Sequence, residues 1–400
     1  IPEPQCGDVP GTWAYKTISI RFGRIAQKVI EENAYSRLLV DRVSQLIKDI
    51  PTEPIRLIDD PGVDDLDRWT HYIQPFLGMD WHTPPWWFTE HYFYRRILEA
   101  TGYFQGGEGG GTDPFNCQKR KGLDVSKGAI RELCRLTIQY LDNVLNTAKD
   151  LKKFLLIDLW GNQSDLSLWG AETSEKPDHK DPQMAGEHIL VDDTNKVINE
   201  ILTKSNRTRI DFLVDNAGYE LVCDLVFGGY LLLSGLSDQI RLHVKSHPTY
   251  VSDATRKDVL DSIKFLREEG DPFTGRLGQC LQTFVNNGRL EIQPHWFWTS
   301  PVSGWEIPDD LRINLRQAKL VISKGDAHYR RLLGDRHWPF DTFFDQIMGY
   351  FPAPIVALRT LKSELVVGLD QGKVEETYWK DPEWLVNGRW GLIQYCPKSG

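Results

Sequence analysis

Apolar residues recur at helical spacing through the first part of the chain. From Ile18 to Ile50 they return every three or four positions, and the segments Trp87–Ala100 and Lys127–Leu151 repeat the pattern. Such spacing places apolar side chains on one face of a helix, where they can pack against a core. Residues 1–150 are therefore predicted to form a helical subdomain.

The pattern changes after Lys153, where short apolar runs rich in β-branched and aromatic residues alternate with helical stretches. Runs of this kind are typical of strands buried in a mostly parallel sheet. For residues 151–400 we expect a three-layer α/β/α Rossmann-like domain that carries the N-terminal helical subdomain. The predicted strands are Phe154–Leu159, Ile210–Val214, Ile240–Val244, Leu290–Gln293, Leu320–Ile322, Ile355–Leu358 and the less regular Trp390–Tyr395.

A glycine-rich stretch, Gly106–Thr112, lies between two of the helical segments. No strand is predicted before it, and it lacks the GK[ST] ending of a phosphate-binding loop. We interpret it as a flexible connection.

Charge and composition narrow the class of partner. The 47 Lys and Arg residues face 56 Asp and Glu, which gives a net charge of −9, and they form no basic block. A nucleic-acid partner is therefore not expected, and a phosphorylated substrate would have to be attracted by local cations. No apolar run approaches the roughly 20 residues that span a bilayer, so no membrane partner is expected. Six scattered cysteines without a CxxC pair suit reduced thiols in the cytoplasm.

Polar residues follow several predicted strands, at the edge where ligands bind in an open α/β sheet. Asp215-Asn-Ala-Gly218 follows the second strand, and Asp253 ends the loop after the third. Carboxylate and amide oxygens of Asp215, Asn216 and Asp253 would suit Mg²⁺ or Mn²⁺. A metal at this edge of the sheet fits phosphoryl chemistry.

Two cationic residues and a glycine are predicted to bind the phosphate at the same edge of the sheet. Arg359 and Lys362 follow the sixth strand and would offset phosphate charge. Gly325 and Asp326 follow the fifth, and Gly325 could bring backbone N–H groups close to an anion.

Each of these residues also has a structural interpretation. Asp215–Gly218 is good turn chemistry, Asp326 suits a turn, and Asp253 suits the N-cap of a helix starting at Ala254. Arg359 and Lys362 would be ordinary as solvated charges. The ten His residues show no HExxH or other ligand spacing, so zinc is not expected.

Several segments together resemble a known family. The chain resembles the metal-dependent damage-control phosphatases, in the branch that includes the acidic-residue methyltransferase 1 proteins and fungal sugar-phosphate phosphatases. The Asp215–Gly218 and Arg359-Thr-Leu-Lys362 motifs are specific when found together. The segments that carry the resemblance are Trp87–Arg96, Asp113–Lys119, Leu159–Ser167, Val214–Leu221, Phe297–Pro301, Lys324–Arg331 and Arg359–Lys362.

The resemblance implies roles for individual residues. Asp215, Asn216 and Asp253 correspond to metal ligands, and Lys362 corresponds to a substrate-binding position. The substrate-binding segment Gly325-Asp326-Ala327-His328-Tyr329 has His328 where the family usually has Asn. Glu90, Arg95 and Asn162 lie in matching segments and are candidate pocket residues.

The resemblance also implies hydrolysis of phosphomonoesters, with sugar phosphates such as fructose 1-phosphate as substrates and Mn²⁺, Co²⁺, Ni²⁺ or Mg²⁺ as the metal. Asp253 or Asp326 is expected to orient the attacking water or accept its proton. One alternative is an S-adenosylmethionine-dependent carboxyl methyltransferase, but no glycine-rich turn follows the first predicted strand. The other is a non-catalytic protein that binds a metal or metabolite.

Overall fold

The computed structural model describes residues 1–142, 147–167 and 187–398, without the side chains of residues 51 and 162–167. The candidate pocket residue Asn162 is thus placed only by its helical backbone, and its side chain lies outside the described residues. Residues 168–186 separate the last N-terminal helix from the first strand and also lie outside the description.

The N-terminal part is helical, as predicted, and has its own aromatic core. Phe22 stacks on Phe93 with ring centroids 4.0 Å apart, and both are fully buried. The predicted segment from Ile18 to Ile50 is divided, because residues 33–36 separate two helices. The helices are α1 (Trp13–Lys16), α2 (Phe22–Glu32), α3 (Arg37–Thr52), α4 (Leu66–Ile73), α5 (Trp86–Thr101) and α6 (Asn116–Val125), and a π-helical turn, Thr17–Arg21, joins the first two.

A mixed, mostly parallel sheet forms the centre of the molecule, and it confirms the predicted fold class. Its strand order is β1-β7-β6-β5-β2-β3-β4. Neighbours from β6 to β4 are parallel, whereas β7 pairs antiparallel with β6 and parallel with β1. The strands are β1 (Ile189–Asp192), β2 (Arg209–Leu213), β3 (Gln239–Lys245), β4 (Leu290–His295), β5 (Leu320–Lys324), β6 (Ile355–Thr360) and β7 (Gly391–Cys396).

Helices cover both faces of the sheet, because its strands are apolar on both sides. In β5, Leu320 and Ile322 belong to the core on one face, while Val321 belongs to the core on the other. This alternation follows from the opposite directions of successive side chains in a strand. The remaining helices are α7 (Lys127–Asp142), α8 (Thr147–Ser167), α9 (Thr194–Leu202), α10 (Tyr219–Leu233), α11 (Arg256–Glu268), α12 (Pro272–Asn286), α13 (Asp309–Leu315), α14 (Gly325–Leu333), α15 (Phe344–Met348) and α16 (Gln371–Lys380).

The predicted strand Phe154–Leu159 is wrong, because these residues lie within helix α8. Leu151, Phe154, Leu155, Asp158 and Leu159 are buried, and this is the i, i+3, i+4, i+7, i+8 spacing of a helix face. The ring of Phe154 packs against Tyr230 of α10 at 4.3 Å between centroids. The strand β1 was not predicted.

Helices α7 and α8 contribute to the same core as the sheet, through residues such as Ile130 and Leu151. The separate aromatic core of the N-terminal helices extends from Ala14 to Phe115. The predicted domain limit at residue 150 stays a prediction. Within the described ranges, no helix is long and apolar enough to cross a bilayer.

The order of the parallel strands creates a switch point between β2 and β5. From β2 the chain continues outward through β3 to β4, and from β5 it continues in the other direction to β6. The loops that leave β2 and β5 therefore diverge and open a crevice at the carboxyl ends of these two strands. Ligands of open α/β sheets bind in such crevices.

Candidate active site

The loops after β2 and β3 are joined by backbone hydrogen bonds that bring Asp215 and Asp253 together. Asn216 and Asp253 form an antiparallel bridge. The N–H of Ala254 donates to the carbonyl of Asp215 at 2.8 Å, and that of Ala217 donates to the carbonyl of Ser252 at 2.6 Å. Two acids that lie 38 positions apart in the sequence thus share one site, as the strand-end argument predicts.

Both carboxylates are buried and incompletely bonded. Asp215 is 4% exposed and Asp253 is 1% exposed, and Oδ1 of Asp215 and Oδ2 of Asp253 accept no hydrogen bond within the described residues. Burial, and next the charge of Asp253, raises the pKa of Asp215 well above its ordinary value. Burial also raises the pKa of Asp253, against the opposing charge of Lys245. Two buried acids that share one site require a nearby cation or a shared proton.

Lys245, the last residue of β3, supplies a cation, and the sequence analysis overlooked it. Its Nζ lies 2.9 Å from Oδ2 of Asp253, outside hydrogen-bonding geometry, and 3.9 Å from Oδ1 of Asp215. The same Nζ lies 3.1 Å from Nε2 of His328. A signal was available, since Lys245 directly follows the predicted apolar strand Ile240–Val244, at the edge where the acids lie.

Asn216 orients Asp215 in this arrangement. Its amide nitrogen donates to Oδ2 of Asp215 at 2.8 Å and to Oε2 of Glu220 at 2.9 Å. Its amide oxygen accepts from the hydroxyl of Ser252 at 2.5 Å, which leaves one lone pair of that oxygen unused. Two carboxylate acceptors determine which end of the amide is the nitrogen. Glu220 is a second residue that the sequence analysis did not identify.

Gly325 lies directly against Asp215 across the switch point. It has a φ of +76°, and a Cβ built at this position would lie 1.9 Å from Oδ2 of Asp215. A glycine is therefore required for two reasons, the left-handed backbone and the close approach.

Helix α14 begins at Gly325, and no side chain of its N-cap residue, Lys324, caps it. The first N–H groups of a helix have no partner within the helix, and together with the helix dipole they attract anions. The candidate residues Gly325, Asp326 and Ala327 form this first turn. An anion-binding helix end thus adjoins the carboxylate of Asp215.

Asp326 is held by the loop that follows β6. Its Oδ1 accepts from Nε of Arg359 at 2.9 Å and from the backbone N–H of Lys362 at 3.1 Å. Burial opposes ionisation of Asp326, but the charge and hydrogen bonds of Arg359 outweigh it and lower the pKa. The charge of Lys362, which is half-buried, favours ionisation of Asp215, although burial keeps the pKa of that acid raised. Lys362 therefore lies close enough to act on the site.

Arg359 is fully buried and bonded to protein groups. It donates to the carbonyl of Leu365 and to the hydroxyl of Ser363, and its guanidinium lies 4.2 Å from the ring centroid of Tyr329. Tyr329 in turn donates to Gln394 at 2.8 Å. Through these contacts, Arg359 and Tyr329 hold the loop that carries Lys362.

His328 contacts the site through Nε2, which lies 3.1 Å from the carbonyl of Val214 as well as near Lys245. Burial, followed by the charges of Lys245 and Arg331, lowers the pKa of His328 well below its usual value, so the ring is neutral. A neutral imidazole offers one donor and one acceptor.

Glu90 contacts helix α14. It is buried in α5, where Oε2 accepts from Arg330 of α14 at 2.6 Å. Burial raises the pKa of Glu90 despite this arginine. Arg95, also in α5, pairs with Asp65 at 2.9 Å and with Asp60 at 2.9 Å. Through Glu90 the helical subdomain is tied to the helix that carries Asp326.

A buried ion cluster holds Lys324, the residue that precedes Gly325. Nζ of Lys324 lies 2.9 Å from carboxylate oxygens of both Asp158 in α8 and Asp224 in α10, and all three side chains are at most 1% exposed. Burial opposes the charge of Lys324, yet the two acids raise its pKa. Because Lys324 precedes Gly325, this cluster fixes the start of α14 relative to α10, which carries Glu220.

The donor set at the switch point suits a hard divalent cation. Two buried carboxylate oxygens without hydrogen bonds and one amide oxygen with a spare lone pair match the preference of Mg²⁺ and Mn²⁺ for oxygen. Among the described residues, no group of three or more His, Cys, Asp or Glu could hold a metal. A metal at this site would therefore need a third ligand of another residue type, and Asn216 is the predicted one.

The fold and the site define a class, an α/β enzyme with an acidic, anion-attracting site at the switch point of its sheet. A family model described as the damage-control phosphatase ARMT1-like domain matches residues 17–377. The chain therefore belongs to the damage-control phosphatase ARMT1-like family and is a phosphatase.

Two relatives named damage-control phosphatase ARMT1 support this assignment. The damage-control phosphatase ARMT1 of Mus musculus is 33% identical, over 96% of this chain and 96% of that protein. The protein of the same name from Danio rerio is 31% identical, over 98% of this chain and 97% of its own length. A crystal structure of a DUF89 family protein from Pyrococcus horikoshii has a TM-score of 0.49 at 13% identity and covers 96% of this chain and 98% of that chain.

These matches confirm the predicted family and the predicted phosphatase class, and they do not favour the methyltransferase alternative. A small-molecule substrate agrees with the family, in which metabolite damage control is the shared role. The metal, the site residues, the absence of a nucleic-acid partner and the cytoplasmic location stay predictions.

Proposed function

We propose that the chain hydrolyses sugar phosphates, with fructose 1-phosphate as the first candidate, using a divalent metal held by Asp215, Asn216 and Asp253. Mn²⁺ is the first choice of metal, and Mg²⁺, Co²⁺ and Ni²⁺ suit the same oxygen ligands. The observation that carries the proposal is the contact between Asp215 and Gly325. It places a buried acid with an unused oxygen directly beside the uncapped N-terminus of α14.

Phosphoryl transfer depends mainly on positioning and on neutralising charge. When bound, the metal supplies Lewis acidity and makes water more acidic. The first N–H groups of α14 and the ammonium groups of Lys362 and Lys245 would receive the phosphate oxygens. Asp326 carries a lowered pKa and stays ionised, which makes it a weak base, so it would orient the attacking water by accepting a hydrogen bond from it.

Arg359 has a positioning role in this proposal, because its hydrogen bonds hold Asp326 and the segment around Ser363. Asn216 likewise directs Oδ1 of Asp215 away from its own amide nitrogen. His328 lies beside Lys245, and Tyr329 packs against the guanidinium of Arg359.

The test is release of phosphate from a panel of phosphomonoesters, including fructose 1-phosphate, with each metal and with a chelator. We expect activity with Mn²⁺ and none with chelator, and we expect Asp253→Ala to lose about 100-fold or more. Asp261→Ala is the matched control, since its carboxylate is exposed on α11 and pairs with Lys257. Full Mn²⁺-dependent activity in a folded Asp253→Ala variant would show that the metal assignment is wrong.

A further inference from the structure

A cavity of about 220 Å³ lies between the helical subdomain and the carboxyl ends of β3 and β4. Helix α4 supplies Arg68 and Tyr72, and the segment after α5 supplies Phe104. His247 and Trp296 come from the loops that follow β3 and β4. These five residues define the α4 cavity. Pockets for drug-sized ligands span about 300–1,000 Å³, so the occupant of this cavity must be small.

The α4 cavity lies at the same edge of the sheet as the proposed metal site. Ser246 and His247 of the cavity directly follow Lys245, and Nζ of Lys245 lies 2.9 Å from Asp253. Two residues of extended chain cover at most about 7 Å, so the backbones of Lys245 and His247 are close. A group attached to a phosphate at the metal site must extend along this edge, towards β4, to enter the α4 cavity.

Within the described part of the chain, two polar side chains of the cavity have no hydrogen-bond partner, and a third has an unused ring nitrogen. The guanidinium of Arg68 makes no ion pair there and lies 5.0 Å from the ring centroid of Trp296. The hydroxyl of Tyr72 makes no hydrogen bond, and Nδ1 of His247 contacts the carbonyl of Pro248 at 3.2 Å, which leaves Nε2 unused. Half-buried polar groups of this kind are satisfied by water or by a ligand.

The chemistry of these groups favours a neutral, hydroxyl-rich occupant. Arg68 and Tyr72 donate, and the unused Nε2 of neutral His247 accepts, while hydroxyl groups can do both. The lining of the cavity contains the carboxylate of Asp64 as well as the guanidinium of Arg68, so these two formal charges cancel, and Asp65 is already paired with Arg95. A second anionic group would gain little net attraction here. The rings of Phe104 and Trp296 offer apolar surface to the C–H faces of a sugar.

We propose that the α4 cavity holds the unphosphorylated, hydroxyl-rich part of the substrate, and that Arg68 and Tyr72 set the preference for sugar phosphates. This inference rests on the proposed function, because it assumes that the phosphate lies at the switch point. Arg68 and Tyr72 are then specificity residues, since they touch hydroxyl groups of the substrate and not the phosphorus.

The test compares two substrates of the Mn²⁺-loaded protein, fructose 1-phosphate and p-nitrophenyl phosphate, which carries no hydroxyl groups. Tyr72→Phe removes one hydroxyl, and Arg68→Met removes the guanidinium but keeps an apolar stem. We expect each change to lower kcat/KM for the sugar phosphate about tenfold or more, as lost hydrogen bonds to substrate hydroxyls do. The value for p-nitrophenyl phosphate should stay within about twofold, because the aromatic walls remain.

Arg37→Met is the matched control, since Arg37 is a highly exposed arginine on α3. Equal losses on both substrates, or no loss on either, would overturn the inference while leaving the phosphatase proposal intact. A larger loss for fructose 1,6-bisphosphate than for fructose 1-phosphate would also overturn it, by assigning Arg68 to a second phosphate.

Inactivity of the unchanged protein on both substrates would count against the proposed function alone. Titration calorimetry then decides the inference, with fructose 1-phosphate and inorganic phosphate as the probes in the presence of Mn²⁺. Weaker binding of the sugar phosphate by both variants, with unchanged binding of phosphate, supports it. Unchanged binding of both probes would contradict the inference about the α4 cavity.

Discussion

At the scale of single residues, the site leaves no room for a side chain at Gly325, because Asp215 lies against its backbone. Gly288 offers a matched comparison, because it has the same φ of +76° but open space around a built Cβ. Gly325→Ala should lower phosphatase activity about 100-fold, since the methyl group must displace the carboxylate of Asp215. Gly288→Ala should cost only about 1 kcal/mol of stability and keep full activity. Assays of phosphate release and of denaturant midpoints check both, and equal activity of the two variants would contradict the contact.

A second residue-scale prediction concerns the stability of the protein in acid. Burial lowers the pKa of His247 to about 4, although Asp65 and the carbonyl of Pro248 oppose the shift. Below pH 6.5 the unfolded chain binds a proton at this histidine that the folded chain does not bind. The free energy of unfolding therefore falls as the pH falls from 6.5 towards 4.

The variant His247→Gln lacks this titration and isolates it. Between pH 7.5 and pH 5, the unchanged protein should lose about 2 kcal/mol more stability than the variant does. Urea unfolding at the two pH values measures the difference. Parallel losses in the two proteins would show that His247 titrates normally in the folded state.

At the scale of elements, helix α8 is the place where local pattern and tertiary structure disagree. Leu155 is fully buried, whereas its neighbour Leu156 is only partly buried, as expected for a helix with one face on a core. Leu155→Ala should cost about 2–5 kcal/mol and Leu156→Ala clearly less. In a strand buried on both faces the two changes would cost similar amounts. Equilibrium denaturation of the two variants decides between these interpretations.

The apolar run of α8 resembles a strand because it contains Phe154-Leu-Leu-Ile157 without a polar interruption. Its wider environment makes it a helix, since one face of it packs against α10 and the sheet while residues such as Leu156 stay partly exposed. Buried helices and buried strands present similar short runs, so that periodicity alone does not separate them.

At the scale of the whole molecule, the proposed metal should couple the loops after β2 and β3. A ligand that binds only the folded chain adds about 2.7 kcal/mol of stability at 100 times its Kd. Mn²⁺ should therefore raise the thermal midpoint of the protein, and a chelator should reverse the rise. Asp253→Ala should show no such response, and a similar rise in that variant would contradict the site.

A variant of Lys245 provides a second test of stabilisation by Mn²⁺. Its ammonium lies between the two carboxylates, so Lys245→Met should destabilise the metal-free protein by removing their cation. Mn²⁺ should then stabilise the variant more than it stabilises the unchanged protein. Lys257→Met, an exposed lysine paired with Asp261, is the control and should change neither value by more than about 0.5 kcal/mol.

The sequence by itself determined the elements whose signals are local. The spacing of apolar residues indicated the N-terminal helices, and short β-branched runs indicated strands β2 to β7. Asp215, Asn216 and Asp253 were identified because polar residues at the carboxyl ends of parallel strands meet at one edge. Motifs confined to a few consecutive positions, such as Asp215–Gly218, carried the family resemblance.

Only the tertiary structure decided the contacts between distant parts of the chain. Lys245 and His328, 83 positions apart, meet because β3 and β5 flank β2, and no local pattern specifies that strand order. The bonding of Arg359 to Asp326 and Ser363, and the meeting of α4 with the loops after β3 and β4, have the same origin. Local pattern reports which face of an element is apolar, whereas packing of the whole chain decides which elements face each other.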